Sequence, residues 1–193
     1  MNRTIQFLLC LTLSMLTGCN NVHNEAGPEE KPAGTQDGIH IKFDDTPGLE
    51  KIEFRNAGDK LTGTGYLLNG QKHGSWTEYF DNGRVKTLTT WVNGKKEGLF
   101  LEFNFSNMLI RQCFYHQDQR HGEYLEYVNM NIKEQRNYSN GKLEGVSKIF
   151  YDDGKILEEG IYSDGLRNGI SKWYDQNGKV TIEYLYKKGQ LVK

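Results

Sequence analysis

The chain is written in a period of about two dozen residues, and that period limits it to a small set of folds. Gly74, Gly98, Gly122, Gly145 and Gly169 stand 24, 24, 23 and 24 residues apart. Other columns keep the same phase. The fifth residue after each marker glycine is Tyr79, Phe103, Tyr127, Phe150 or Tyr174, and the ninth is Gly83, Asn107, Asn131, Gly154 or Gly178. Seven residues before the next marker come Trp91, Tyr115, Tyr138, Tyr162 and Tyr186; four before it come Gly94, Asp118, Gly141, Gly165 and Gly189. A degenerate first copy has Leu49 at the marker and continues with Phe54, Gly58, Leu67 and Gly70. A period of this length means one supersecondary unit stacked on itself, each copy burying an apolar face against the next.

Each unit reads as a β-hairpin. Segment 74–80, GSWTEYF, is short and rich in aromatic and β-branched residues, and Asp81-Asn82-Gly83 supplies a turn. A second strand follows over 84–92, and Asn93-Gly94-Lys95 turns the chain back. No run shows apolar residues at helical spacing with caps. All three prolines precede residue 48, so nothing interrupts strand pairing afterwards. The expected fold is all-β: an elongated single-layer antiparallel meander of about six stacked hairpins over 39–193, with copies at 49–73, 74–97, 98–121, 122–144, 145–168 and 169–193. The two aromatic columns (Tyr79 to Tyr174 and Trp91 to Tyr186) persist through every copy and read as the structural columns. On the first strand, Trp76, Phe100 and Tyr124 alternate with that column, beside Glu78, Glu102 and Glu126. That aromatic–carboxylate face, with Trp173 in the last copy, is the expected partner-binding face, since aromatic anchors dominate protein interfaces. Lys187, Lys188 and Lys193 near the last strand read as protection of an open edge.

The amino-terminal 1–18 reads as a signal peptide. Segment 7–16 is apolar and too short to span a bilayer, and it ends in Leu16-Thr17-Gly18-Cys19. This tetrapeptide resembles the lipobox of bacterial lipoproteins, which implies cleavage before Cys19 and acylation of its thiol and new amine. Asn20 after the cysteine resembles the outer-membrane sorting pattern. Segment 19–38 has one branched apolar residue, Val22, and reads as a flexible tether. The expected location is the cell envelope, anchored by lipid, in the outer membrane where there is one. With Cys10 removed and Cys19 lipidated, Cys113 stands alone as a small residue within a strand.

The unit G-x-W-x-x-Y-x-x-x-G followed by W/Y-x-N-G-K-x-x-G is carried by Gly74, Trp76, Tyr79, Gly83, Trp91, Asn93, Gly94, Lys95 and Gly98. It resembles the bacterial variant of the MORN repeat over about residues 49–193. The resemblance implies one extended antiparallel sheet and brings no catalytic residues. It also implies two kinds of role: antitoxin components, and scaffolds, dimerisers or phospholipid contacts.

Residue chemistry points away from an enzyme. His73 and His121 hold equivalent positions two copies apart, roughly 19 Å by strand spacing, too far to share a metal ligated at about 2 Å. His116 lies nearer His121, with no cysteine or carboxylate cluster beside it in sequence. The row Glu78, Glu102, Glu126 reads as a solvated face rather than paired catalytic carboxylates. No phosphate loop, calcium loop or dinucleotide fingerprint occurs, so no cofactor and no metal are expected. The formal net charge of −1 provides no field for nucleic acid. The leading expectation is a non-enzymatic, lipid-anchored binding or scaffold protein with a protein partner. An antitoxin or immunity lipoprotein neutralising a toxin comes second, and phospholipid contact by the repeats third. Open sheet edges also point to a homodimer by edge or face contact.

Overall fold

A computed structural model describes residues 38–192. The expected signal peptide, Cys19 and nearly all of the expected tether lie outside the described residues. The described residues form one fifteen-stranded antiparallel sheet. Its strands are β1 (Ile39–Lys42), β2 (Leu49–Arg55), β3 (Leu61–Leu68), β4 (Gln71–Tyr79), β5 (Val85–Val92), β6 (Lys95–Phe103), β7 (Leu109–His116) and β8 (Gln119–Val128). They continue as β9 (Asn131–Ser139), β10 (Lys142–Leu143), β11 (Gly145–Phe150), β12 (Ile156–Ser163), β13 (Leu166–Tyr174), β14 (Val180–Lys187) and β15 (Gln190–Leu191). Neighbours in sequence are neighbours in the sheet, except that the ladder passes from β9 to β11 while the short β10 also pairs with β9. Sequence-local pairing of this kind costs little loop-closure entropy.

The turns follow the expected Gly/Asn logic with two corrections. In the first copy, Asp59 rather than Gly58 takes the left-handed conformation. In the fourth copy Asn131 is the first residue of β9, and Asn129 and Met130 take positive φ instead. The physical reason is the single missing residue of the 23-residue unit. Val128 pairs directly with Asn131, which leaves a two-residue turn that needs positive φ at both central positions. The marker glycines are not turn residues. Gly74, with φ 71°, lies inside β4, where the β3–β4 register slips between Thr64 and Tyr66. Equivalent slips occur between Thr89 and Trp91, Cys113 and Tyr115, and Gly160 and Tyr162. Gly74, Gly98, Gly122 and Gly169 thus each accompany a bulge in which four steps of their own strand span two of the preceding strand, which bends the strand and keeps the parity of its side chains.

Cross-strand register decides which side chains share a face. Register places Ile52 opposite Gly65, Trp76 opposite Thr89, Thr89 opposite Phe100, Phe100 opposite Cys113, and Cys113 opposite Tyr124. Large and small residues alternate along this row. Trp76 is 9% exposed, Thr89 7%, Cys113 0% and Tyr124 4%. Strands are about 4.8 Å apart, so an aromatic ring lying over the sheet is accommodated by a small neighbour on the adjoining strand. Gly65 shows the constraint at its tightest. A Cβ there would fall on Cδ2, Cε2 and Cγ of Trp76, whose Nε1 donates to the Tyr66 carbonyl at 2.9 Å. We call this side face A.

The expected face assignment is corrected here. Trp91, two residues beyond Thr89, joins Trp76 on face A: Lys72 Nζ sits 4.3 Å from one ring centre and 4.4 Å from the other. The Tyr79 column lies on face B, where it pairs with an aliphatic residue in every hairpin: Tyr79 with Val85, Phe103 with Leu109, Tyr127 with Ile132, Phe150 with Ile156 and Tyr174 with Val180. The two persistent columns therefore stabilise opposite sides of one sheet, and the expected outward face is the more buried one.

Replacing Gly65 by Ala should destabilise the fold by about 1–3 kcal/mol, the usual cost of forced overpacking. Gly58→Ala, at a turn with only Asn56 Oδ1 nearby at 3.4 Å, should change stability by less than about 0.5 kcal/mol. Urea midpoints of the two variants check the contrast.

Candidate binding faces

Face A carries a ladder of cations lying on aromatic rings. Lys96 bridges Trp91 and Tyr115 at 5.7 and 5.4 Å. Arg120 lies 5.2 Å from Tyr124 and 5.4 Å from Tyr138, and Arg136 covers the Tyr124 ring at 5.8 Å. Arg167 touches Tyr162, Trp173 and Tyr186 at 5.3, 5.3 and 5.6 Å. The rings also meet one another edge-on, Phe100 with Tyr115 at 6.0 Å and Tyr124 with Tyr138 at 5.9 Å. Sequence reading missed the cations, although they are phased: Lys72, Lys96, Arg120, Leu143 and Arg167 each stand two residues before a marker glycine. Where that column holds Leu143, the side chain packs instead against the cluster of Cys113, Tyr124 and Tyr138. Partly desolvated contacts of this kind contribute about 1–2 kcal/mol each.

The carboxylate row runs beside the ladder and is largely engaged within the chain. Glu102 pairs with Arg111 at 2.8 Å, and Arg111 Nε donates to the Tyr124 hydroxyl at 3.1 Å. That hydroxyl donates to Glu126 at 2.9 Å. Glu134, directly opposite Glu126, pairs with Arg136. Glu158 pairs with Arg167 and accepts from Trp173 Nε1 at 2.9 Å. Glu78 is the looser member, 3.9 Å from Lys86 and exposed. Of the expected partner-binding residues, Trp76 and Tyr124 are thus covered, Phe100 and Trp173 are half-buried, and Glu102 and Glu126 already hold partners.

Burial sets the ionisation of this face. It pushes the Cys113 thiol up, and it raises Glu134, with Glu126 and Glu158 adding to the effect. Burial is also the main cause that pushes Tyr124 up to about 12. On face B, the hydrogen bond to Glu159 pushes Tyr174 up to about 12. His116 Nδ1 lies 2.9 Å from Glu97, and its ring centre is 5.7 Å from that of His121. Among the described residues, no three His, Cys, Asp or Glu side chains assemble into a metal-holding group.

Face B is different in character. Val146 pairs with Ile161 and Ile170 with Leu185, and the four are 50%, 42%, 41% and 48% exposed. The corresponding pairs in earlier copies are Ser75 with Thr90, Leu99 with Phe114, and Glu123 with Asn137. An aliphatic stripe therefore occupies the last two copies and stops at the polar pair Glu123–Asn137.

The MORN repeat variant family matches at residues 72–93, 143–164 and 167–188. Each matched segment begins at the cation column, at Lys72, Leu143 and Arg167. No curated protein matches the chain. Two solved structures are similar in part. One is a mutant of S. aureus TarM in complex with fondaparinux, alpha-GlcNAc-glycerol and UDP, at 16% identity and a TM-score of 0.35. The other is TarM, at 16% identity and 0.34. Each match covers 50% of this chain and 19% of the TarM chain. At those scores the likeness carries neither fold nor function.

An ordinary tyrosine titrates at 10.0, whereas Tyr124 and Tyr174 titrate at about 12 in the folded sheet. Between those values the unfolded chain gives up protons that the folded chain keeps. Stability is therefore fully present below pH 10 and declines as pH rises toward about 12. Urea midpoints across this window, read beside tyrosinate absorbance, should fall for the native chain. They should fall less steeply for Tyr124→Phe.

Proposed function

We propose that this chain is a non-enzymatic binding protein of the cell envelope, held to lipid at Cys19, that engages a protein partner through face B. Three segments match the MORN repeat variant, a repeat generally used for protein or membrane binding. The observation that carries the reading is the stripe of Val146, Ile161, Ile170 and Leu185, four exposed aliphatic side chains on adjacent strands. Contiguous exposed apolar area of this kind marks interaction sites on proteins. Its rigid backing favours the same use. The other face of the same strands is held by Arg167, Glu158 and Trp173, so the stripe is preorganised and needs little ordering on binding.

Face A contributes stability to this reading rather than contacts. Its rings are already covered by Lys72, Lys96, Arg120 and Arg167, and uncovering them for a partner would cost the interactions that hold the sheet. The anchor reading rests on the apolar segment 7–16 and Leu16-Thr17-Gly18-Cys19. An anchor of several acyl chains holds a protein firmly, whereas one chain is marginal.

Two measurements test the proposal. Full-length chain carrying Ile161→Asp and Ile170→Asp should lose the proteins recovered with the native chain from crosslinked membranes, while Glu78→Ala with Glu102→Ala should retain them. Equal recovery by both variants would sink the face B assignment. Separately, Cys19→Ser should move the chain out of the membrane fraction, and an unchanged distribution would remove the anchor.

A further inference from the structure

The turns at one end of the strands are hung from one another by a repeated pair of hydrogen bonds. Five of them begin with a residue in the left-handed conformation: Asn93, Gln117, Asn140, Asp164 and Lys188, with φ between 48° and 54°. The residue after each is Gly94, Asp118, Gly141, Gly165 or Gly189. Its N–H donates to the carbonyl of Lys72, Lys96, Arg120, Leu143 or Arg167, at 2.8–3.1 Å. The N–H of the first turn residue needs an acceptor of its own. In four turns the side chain just before the marker glycine supplies it. Gln117 N donates to Glu97 at 3.0 Å, Asn140 N to His121 Nδ1 at 3.4 Å, Asp164 N to Glu144 at 2.9 Å and Lys188 N to Asn168 Oδ1 at 3.2 Å. In the fifth, His73 stands in that column, its Nδ1 buried without a hydrogen-bond partner. A carboxylate or an amide oxygen accepts throughout the physiological range, whereas an imidazole nitrogen accepts only while it is unprotonated. Of the four side-chain caps, His121 alone can lose its acceptor there.

Two histidines meet at this place and hold opposite roles. His116 Nδ1 lies 2.9 Å from Glu97. A carboxylate can only accept, so His116 Nδ1 carries a proton whether its ring is neutral or charged. The hydrogen bond from His116, and then that from Gln117 N, hold the Glu97 carboxyl below the usual carboxylate range. Glu97 therefore keeps its turn in mild acid. His121 is the reverse case. Its Nδ1 accepts from Asn140 N, so the neutral ring carries its proton on Nε2. Protonation would set an N–H against the N–H of Asn140. It would also place a cation beside His116, whose ring centre is 5.7 Å away. The surrounding charges offer little compensation. Lys95 Nζ lies 3.5 Å from Gln117 Oε1, and Lys142 pairs with Asp164 at 2.5 Å. Glu123 accepts from Gln135 at 3.1 Å, Glu144 caps Asp164 N, and Arg120 lies over Tyr124 and Tyr138 on face A. Glu97 is the acid near both rings, and His116 already holds it.

We propose that His121 makes the Asn140–Gly141 turn a pH-operated latch, closed while its imidazole is neutral and released when the ring takes a proton. Histidine side chains change charge at about pH 6.5, within reach of ordinary changes of surroundings. The closed turn accepts only the neutral ring. The contribution of the latch is therefore present on the alkaline side of the histidine range and is lost as pH falls through it. The release is local. Gly141 N still donates to the Arg120 carbonyl at 2.8 Å and Glu144 N to the Asn137 carbonyl at 2.9 Å, and neither acceptor titrates. β10 thus stays paired with β9. What is lost is one hydrogen bond, equivalent to a roughly two- to tenfold change in the opening of the turn. The latch stands or falls independently of any partner on face B.

The test is amide exchange of the full chain in detergent micelles from about pH 8 to about pH 5, with histidine ring nitrogen shifts recorded on the same samples. Protection at Asn140, corrected for the intrinsic pH dependence of exchange, should fall roughly two- to tenfold as the His121 ring titrates. Protection at Gln117, Asp164 and Lys188 should hold. His121→Asn copies the Asn168 cap of the last unit and should keep Asn140 protected throughout. His116→Gln should leave the fall in place. The neutral His121 ring should show an unprotonated Nδ1. Asn140 protection that ignores pH, or a fall shared by Gln117 and Lys188, would overturn the proposal. So would a fall that survives His121→Asn or vanishes in His116→Gln, or a neutral His121 ring protonated at Nδ1.

Discussion

A single sheet has no second layer to cover it, so this chain must bury its apolar surface along the sheet rather than beneath another. The solution is the row of alternating large and small residues on face A. Each ring of Trp76, Phe100 and Tyr124 rests over a neighbour no bulkier than Thr89 or Cys113. The open tops of the rings are then closed by long cationic side chains whose stems are apolar and whose heads attract the ring faces. Both devices meet at the buried cluster of Cys113, Tyr124 and Tyr138, with Arg120 above the two tyrosines.

This self-coverage explains why binding is assigned to face B. A side of the sheet whose aromatics carry its stability is poorly placed to give them away. The Tyr79 column on the other side needs only one aliphatic partner per hairpin, which leaves its flanking positions free to vary. They are Ser75 and Thr90 in one copy, and Ile170 and Leu185 in another. Variation without loss of the hairpin is what a repeat scaffold offers. The last two copies use it for the aliphatic stripe on face B.

Much of the architecture was legible in the residues. The marker spacing, the Gly or Asn at each turn and the absence of proline after Pro47 specify stacked hairpins in one antiparallel sheet, and turn residues such as Asn107 and Asp118 take the positive φ that Gly takes elsewhere. The faces were not legible. Alternation along β4 separates Trp76 from Tyr79, but only the pairing of β4 with β5 puts Trp91, two residues beyond Thr89, on the Trp76 side. The cations escaped notice for another reason. Lys72 and Arg120 look like solvated surface charges until the register brings them over rings from two strands. The missing residue of the fourth copy was visible as a 23-residue spacing, but only pairing shows that it shortens the turn at Asn129 and Met130.

The alternation of large and small residues is tested most directly by a double-mutant cycle on Phe100 and Cys113, which face one another across β6 and β7. Cys113→Phe alone should cost about 1–3 kcal/mol, since its site between Phe100 and Tyr124 has no room for a second ring. Made together with Phe100→Ala, it should recover at least about 1 kcal/mol of the summed losses, because the ring has only moved to the next strand. Costs that simply add would contradict the account.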